Sequence, residues 1–288
     1  PLWSRGLGDV YKRQVLYHNL TTHFKHPPSK VCSYIGHRLT EGYGLSHPVA
    51  LRILNASPRV NLVITADNGS SDEPRIQMLK EAGIDVIVTD HHELPKEGPP
   101  KSAYACLNPT REDCAYGDPY IAGCMVAWLL CAATRQKLIH KGYLPEDAPT
   151  LLDSLDYVAV GTVADCVSIA RSINNRAVVA YGLRLIEKGT KPCWRVIKGH
   201  TSNILRSEDL GFRIAPLLNS DGRLSTAFGS VNFLLANTDE QAQNSLFSLQ
   251  DYNAKRKSIQ QQIVSRGLIE AKRQVEQGKS SLCIFLEE

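Results

Sequence analysis

The 288-residue sequence lacks the features of several specialised protein classes. Its eight cysteines form no CxxC pair, which argues against a zinc ribbon, and they are scattered through apolar stretches, as buried free thiols would be. No apolar run reaches the roughly 18 residues of a membrane span, and no signal peptide or internal repeat is visible. We therefore expect a protein of the reducing cytoplasm without membrane association.

The composition is that of a folded globular protein. Hydrophobic residues make up 43% and charged residues 22% of the chain, which argues against disorder. The formal net charge of +4 is mildly basic. This charge is compatible with a polyanionic partner and equally with an ordinary solvated surface.

The first 14 residues, PLWSRGLGDVYKRQ, show neither helical nor strand periodicity. Two interpretations stay open, which are a translated vector or adapter tail and a disordered N-terminus. We therefore predict that residues 1–14 are non-native or disordered.

The following part of the chain predicts an α/β architecture. A strand at 59–65, a helix after the N-cap Ser71 and a strand at 84–88 follow one another with short connections. A right-handed parallel crossover is the expected arrangement, and it places Asp67 and Asp90 at neighbouring strand ends. Further strands are predicted at 30–35 and 103–108, and further helices at 15–24, 47–54, 121–135 and 175–187.

The longest predicted helix begins at Thr238, which has capping-box spacing with Gln241. After Gly278 a last strand is predicted at 282–286. We therefore divide the chain into a domain with a parallel sheet flanked by helices at 15–237, a long connecting helix at 238–278, and the first strand of a truncated C-terminal domain at 279–288.

Three hydrophobic segments each end in an acid with small neighbours, in the sequences ADNG, TDHH and VADC. The acids are Asp67, Asp90 and Asp165, and His91 and His92 follow the second of them. Carboxylates with imidazoles suit Mn²⁺ or Mg²⁺, and two such ions can activate water for phosphodiester hydrolysis. Each acid alone is more often a turn or helix cap, so the combination is what favours a metal site.

The set of motifs, in this order, resembles the DHH phosphoesterase superfamily. VIVTDHH, the upstream TADNG, GTVADC and the later NSDGR carry the resemblance. HRLTEGYGL at 37–45, LNP at 107–109, IAGCMVAW at 121–128 and the Asn-Arg pair at 175–176 narrow it to the RecJ-type single-strand exonuclease branch. The resemblance covers residues 15–270.

The resemblance implies a role for each residue of the site. Asp67, His91 and Asp165 match metal ligands, with Asp165 bridging the ions. His92 matches a histidine near the ions and the scissile phosphate, and Asp90 would orient the site. Asp90 and His92 are the implied catalytic pair.

A second set of residues is implied to contact substrate phosphate. Asn219, Gly222 and Arg223 match the loop of the family's fourth motif, where an arginine would supply a bidentate cation. Arg38 has the same implied role, although a structural salt bridge explains it equally well. Asp221 departs from the small residues typical of the family and would put negative charge near phosphate.

The chain also departs from the family at the first motif. The family opens with a strand and an Asp-x-Asp-Gly-type turn, whose aspartates help to hold the metals. That turn should fall near residues 5–12, where RGLGDVYK has Asp9 as its only acid. We therefore predict a two-metal site for Mn²⁺ or Mg²⁺ that is incomplete in this chain.

The implied function is metal-dependent hydrolysis of single-stranded DNA from the 5′ end, in recombination and repair. Single-stranded DNA is the expected partner of a monomer, and a single-strand-binding protein or a helicase is a candidate partner. Two alternatives stay open: a DHH-type phosphatase for oligonucleotides or small phosphates, and a non-catalytic nucleic-acid-binding paralogue. The absent first motif motivates the second alternative.

Overall fold

The computed structural model describes residues 9–37, 40–200, 205–224 and 228–285, and it describes only the backbone of Asp9, Arg223 and Leu224. Helices dominate these ranges. They are α1 (Asp9–His18), α2 (His47–Leu54), α3 (Glu73–Glu81), α4 (Gly123–His140), α5 (Leu155–Ala164), α6 (Ile173–Lys188), α7 (Pro192–Lys198), α8 (Ser207–Asp209), α9 (Ala215–Leu218), α10 (Asp221–Leu224), α11 (Phe228–Leu235) and α12 (Asp239–Glu276). π-helical turns follow α1 at Asn19–His23 and α8 at Leu210–Ile214, and 3₁₀ turns lie at Pro28–Lys30 and Leu151–Ser154.

A small parallel sheet organises the N-terminal half of the chain. Its strands are β1 (Leu62–Ile64), β2 (Asp85–Thr89) and β3 (Ala105–Leu107), in the order β1-β2-β3. The central strand β2 buries Val86 and Val88 on one face and Thr89 on the other, as a parallel strand covered on both faces should. Because α3 connects β1 to β2, the predicted parallel crossover is confirmed, and so is the α/β class with a parallel sheet flanked by helices.

The larger hydrophobic core packs around α5. Every residue of α5 from 155 to 162 is buried, because α1, α4 and α6 pack against it. Gly182 on α6 permits the close approach of these two helices, since a Cβ there would overlap the Ala159 side chain. This packing brings Asp165, the C-cap residue of α5, to a fixed point beside the sheet.

Residues 9–14 lie in α1, so they are not disordered, whereas the interpretation of residues 1–14 as a translated vector or adapter tail stays a prediction. Tyr11 and Lys12 are fully buried, and the Tyr11 hydroxyl donates to the Ala215 carbonyl at 3.1 Å. The buried face of α1 also includes the polar Gln14. A helix whose buried face is partly polar gives no apolar periodicity, so the pattern in the sequence did not indicate it.

Two predicted strands are absent from the described residues. The chain from 30 to 35 leaves a 3₁₀ turn and is then irregular, and residues 282–285 are irregular as well. A strand needs a neighbour to satisfy its backbone, which local propensity does not provide. The helix after ADNG has Asp72 rather than Ser71 as its N-cap.

The eight free cysteines are only partly as predicted, since three are buried and three are exposed.

The long helix α12 is confirmed from its first turn. The Gln241 backbone N–H donates to Thr238 Oγ1 at 3.2 Å, as the capping-box spacing predicted. The first half of α12 buries Ala242, Leu246 and Leu249, whereas apolar side chains of its second half are exposed. Within the described ranges, no helix is both long and apolar enough to cross a bilayer.

Candidate metal centre at the sheet edge

The turn after β1 holds Asp67 in a strained backbone conformation. Asp67 has a φ of 68°, in the left-handed region that non-glycine residues rarely adopt. Its backbone N–H donates to the Thr89 carbonyl at 2.7 Å, which ties the turn to the end of β2. Gly69 follows with a φ of 110°, and a Cβ there would press against Thr65 and Val88. Strain of this kind tends to cluster at functional sites.

Three buried side chains converge beside this turn. His91 Nε2 lies 3.1 Å from Asp67 Oδ1 and 2.9 Å from Asp165 Oδ2. The Asp67 and Asp165 side chains are at most 4% exposed, and that of His91 is 13% exposed. None of the three facing atoms has a hydrogen-bond partner of acceptable geometry. Buried polar atoms are nearly always satisfied, so this donor set fits one divalent cation.

A lysine ammonium lies against the other oxygens of the same two carboxylates. Lys12 Nζ bonds to Asp67 Oδ2 and lies 3.4 Å from Asp165 Oδ1, and its side chain is fully buried. Burial raises the pKa of the Asp165 carboxyl, but the Lys12 charge and the His91 contact outweigh it and lower this pKa to about 2. A fixed cation from α1 thus lies in the segment where carboxylates of the first motif were expected.

Asp90 supports the site without joining the cluster. Its Oδ1 accepts from the His91 backbone N–H at 2.8 Å and lies 2.7 Å from His92 Nδ1, and its Oδ2 accepts from the Ser70 N–H at 3.0 Å. Burial raises the pKa of the Asp90 carboxyl, but the hydrogen bonds from His92 and Ser70 hold it well below its usual range. Asp90 therefore acts as a buried anchor for the more exposed His92 ring.

Two further residues shape the site, and sequence reasoning assigned neither a role. Asn108 Nδ2 donates to the His92 carbonyl at 2.8 Å and to Ser70 Oγ at 2.9 Å. Gly123, the first residue of α4, lies so close to Asp67 that a Cβ would overlap the Asp67 carboxylate. Both residues belong to short motifs, LNP and IAGC, that contributed to the family resemblance. The motifs did not indicate which contacts these two residues make.

Of the predicted substrate-binding residues, Asn219 and Gly222 have described side chains or backbone, and neither belongs to the cluster of three converging donors. Asn219 is buried, and its Oδ1 accepts from the Tyr11 hydroxyl at 2.9 Å. Asn219 and Gly222 line a cavity of about 830 Å³, which also reaches Asn68 in the turn after β1 but is not lined by the three converging donors. Arg38 lies outside the described residues, as does the side chain of Arg223.

The Asp221 carboxylate is hydrogen-bonded within the protein, and its proximity to a substrate phosphate stays a prediction. It is 1% exposed, and its carboxylate accepts from the Gly222 N–H at 2.9 Å and from the Ser230 hydroxyl at 2.6 Å. The Ser230 N–H donates to it as well, at 2.9 Å. Asp221 therefore caps the start of α11, where a negative charge is favourable.

Residues 10–162 match the family described as "DHH family, N-terminal domain". The chain belongs to the DHH family. It is 37% identical over 237 residues to the single-stranded-DNA-specific exonuclease RecJ of Haemophilus influenzae, a match that covers 81% of this chain and 40% of that protein. The chain thus spans about 40% of the length of this curated relative.

Solved structures of RecJ are similar to most of the chain. A crystal structure of exonuclease RecJ bound to manganese matches with a TM-score of 0.76 and 28% identity, over 89% of this chain and 61% of that one. RecJ of Thermus thermophilus in complex with Mn²⁺ matches with a TM-score of 0.63 and 29% identity, over 77% of this chain and 32% of that one. The predicted resemblance to RecJ-type exonucleases is confirmed.

Within the DHH triplet the three side chains have different contacts. His91 faces Asp67 and Asp165, whereas His92 is paired with Asp90. The His91 and His92 ring centroids are 4.7 Å apart. Candidate ligand atoms of Asp67, His91 and His92 also lie within 4.8 Å of one another, so both imidazoles can reach a cation at this turn.

Proposed function

We propose that this chain carries the metal centre of a DHH-type exonuclease, which hydrolyses phosphodiester bonds in single-stranded DNA from the 5′ end in the cytoplasm. The observation that carries the proposal is the convergence of three unpartnered donor atoms, Asp67 Oδ1, His91 Nε2 and Asp165 Oδ2. Similarity to RecJ proteins supports single-stranded DNA as substrate, and the family resemblance supports the 5′ direction.

Asp67, His91 and Asp165 would hold a Mn²⁺ or Mg²⁺ ion, which supplies Lewis-acid activation of water and neutralises charge on the phosphate. Manganese in the similar RecJ structures supports this choice of ion. Asp165 terminates α5, so the negative end of the helix dipole adds to the attraction for a cation.

His92 is the residue of this site that is best placed to move a proton. Its Nδ1 faces the buried Asp90 carboxylate at 2.7 Å, and its side chain is 36% exposed. When Nδ1–H donates to Asp90, Nε2 is left as the basic nitrogen. That nitrogen can take a proton from the attacking water or return one to the leaving oxygen.

A second candidate function rests on Lys12. Two carboxylates and one ammonium leave a net charge of −1 around the cluster, so a divalent ion would leave an excess of +1. The buried Lys12 therefore weakens binding of the ion and favours a chain that binds nucleic acid without cleaving it.

A monomeric state and partnership with a single-strand-binding protein or helicase stay predictions.

The test compares the purified chain on 5′-labelled and 3′-labelled single-stranded DNA, duplex DNA and dinucleotides, with Mn²⁺ or with EDTA. We expect Mn²⁺-dependent release of mononucleotides from the 5′ end of single strands, lost in His91→Gln and kept in His140→Gln, an exposed histidine on α4. Cleavage of dinucleotides alone would identify a small-substrate phosphatase. Tight binding of single strands without cleavage would identify the binding function, and activity that survives in His91→Gln would contradict the site.

A further inference from the structure

A second cluster of metal-ligating side chains lies where α1 and its π turn meet the 3₁₀ turn before α5. His18 Nε2 lies 2.8 Å from Asp153 Oδ2, and His23 Nε2 lies 2.7 Å from Asp153 Oδ1. One candidate ligand atom from each residue lies within 4.8 Å of the other two. His18 is six residues beyond Lys12, so it lies about 9 Å further along the axis of α1.

The π turn at Asn19–His23 is what brings the two imidazoles together. The Phe24 N–H donates to the Asn19 carbonyl at 3.0 Å, a bond that spans five residues instead of four. In a regular α-helix, His18 and His23 would point about 140° apart around the axis. The wider turn rotates them to one face, with ring centroids 5.5 Å apart. Such π turns occur frequently at functional sites.

The surroundings of the cluster suit a cation. The His18 and His23 side chains are 16% and 9% exposed, whereas Asp153 is 45% exposed and leaves one side open to solvent. Lys191 is the nearby positive group, and its ammonium donates to the Asp153 carbonyl at 2.6 Å and to Asp156 Oδ2 at 2.5 Å. The Asp156 carboxylate therefore balances the Lys191 charge, and the two Asp153 carboxylate oxygens face the His18 and His23 imidazoles instead.

We propose that His18, His23 and Asp153 bind a divalent ion of the Zn²⁺ class as a structural clamp between the π turn and the 3₁₀ turn. Two imidazoles and one carboxylate are the donors that Zn²⁺, Co²⁺ and Ni²⁺ prefer over Mg²⁺, and three protein ligands leave a position for water. Ligand atoms around tetrahedral Zn²⁺ lie about 3.3 Å apart, so small side-chain rotations suffice.

The clamp connects two helices that reach the DHH centre. α1 carries Lys12 and α5 ends at Asp165, and the proposed ion would join the end of α1 to the turn that begins α5. Its binding should raise the free energy of unfolding through mass action, because the unfolded chain does not hold the three ligands together. This inference does not depend on the exonuclease function.

The experiment uses the full chain with His91→Gln, so that the DHH centre does not contribute. Zn²⁺ and Co²⁺ binding are measured by calorimetry and by Co²⁺ visible absorption, and X-ray absorption on the Zn²⁺ form reports the ligand types. We expect one bound ion with imidazole nitrogen and oxygen neighbours and a higher melting temperature with Zn²⁺.

Adding His18→Gln, His23→Gln or Asp153→Asn should weaken Zn²⁺ binding by about 10–100-fold or more. A loss of that size follows even when the mutated residue only supports a metal ligand. His140→Gln is the matched control and should change nothing. Sulfur neighbours in the absorption spectrum would assign the ion to exposed thiols and overturn the proposal, as would no binding or binding unchanged in the three variants. If a variant fails to fold, the ligand types found in the His91→Gln chain still test whether nitrogen and oxygen atoms, and not thiols, hold the ion.

Discussion

Replacing Lys12 by methionine tests whether a buried ammonium substitutes for a bound cation. Methionine keeps the length and apolar stem of the side chain but removes its charge. In the native chain that charge is fully buried between Asp67 and Asp165. The variant should therefore be less stable without divalent ions and should bind Mn²⁺ more tightly.

The expected loss of stability follows from the burial of the ion pair. Breaking such a pair by removing one partner costs about 3–5 kcal/mol, because it leaves uncompensated buried charge. Lys12 is the largest favourable influence that lowers the pKa of the Asp165 carboxyl. Its removal should raise that pKa and let a proton offset part of the loss. We therefore expect the free energy of unfolding in EDTA at pH 7 to fall by about 3 kcal/mol.

The expected gain in affinity follows from the same charges. Two like unit charges 4 Å apart repel by about 4 kcal/mol at an effective dielectric constant of 20. Relief of only about a third of that energy would lower the dissociation constant for Mn²⁺ about tenfold. Lys12→Met should thus bind Mn²⁺ at least about tenfold more tightly than the native chain.

Urea unfolding with EDTA or Mn²⁺ measures the first effect, and Mn²⁺ electron paramagnetic resonance measures the second. Lys137→Met, on the exposed face of α4, is the matched control and should change neither quantity. A Lys12→Met chain that is as stable as the native one in EDTA and binds Mn²⁺ no more tightly would refute the reasoning.

Three other changes test the support of the site. Gly123→Ala should push the Asp67 carboxylate out of place, lowering stability by about 1–3 kcal/mol and weakening Mn²⁺ binding in titrations; unchanged Mn²⁺ affinity would contradict the close contact. Asn108→Ala leaves the His92 carbonyl with only the longer 3.2 Å hydrogen bond from the Thr110 hydroxyl and should cost about 1–3 kcal/mol in urea unfolding, whereas no loss would mean that this hydroxyl satisfies the carbonyl. Burial raises the pKa of the Asp90 carboxyl but His92 lowers it further, so the stability that Asp90 contributes is present above about pH 4 and is lost as the pH falls through its folded-state pKa. Asp90→Asn should therefore lose less stability than the unmutated chain between about pH 5 and pH 2. If the urea midpoint depended on pH in the same way in both chains, the predicted direction of the Asp90 contribution would be wrong.

The unit around the DHH turn could be predicted because its signals are local. Apolar runs with β-branched residues gave β1 and β2, and short connections gave their parallel order and the proximity of Asp67 and Asp90. The approach of Asp165 depends on how α5 packs against α1, α4 and α6. Spacing along the chain does not contain that packing, and only the resemblance indicated it.

The contact of Lys12 with the site could not be predicted from its own segment. A lysine in a stretch without periodicity normally faces solvent, since burial of an unpaired ammonium is costly. Its partners, Asp67 and Asp165, lie 55 and 153 residues away. The π turn was equally hidden, because the histidines at 18 and 23 have a spacing that no regular helix places on one face.

The DHH centre requires positive charge whether or not an ion is bound. Asp67 is held in a strained conformation against Gly123, and Asp165 ends a buried helix at the negative pole of its dipole. Both carboxylates are almost completely buried, so neither can be neutralised by solvent. A lysine at position 12 meets part of this requirement from α1, and it leaves His91 Nε2 and the two carboxylate oxygens beside it without partners. These nitrogen and oxygen atoms can be satisfied by one bound cation. We therefore expect a single ion beside Lys12.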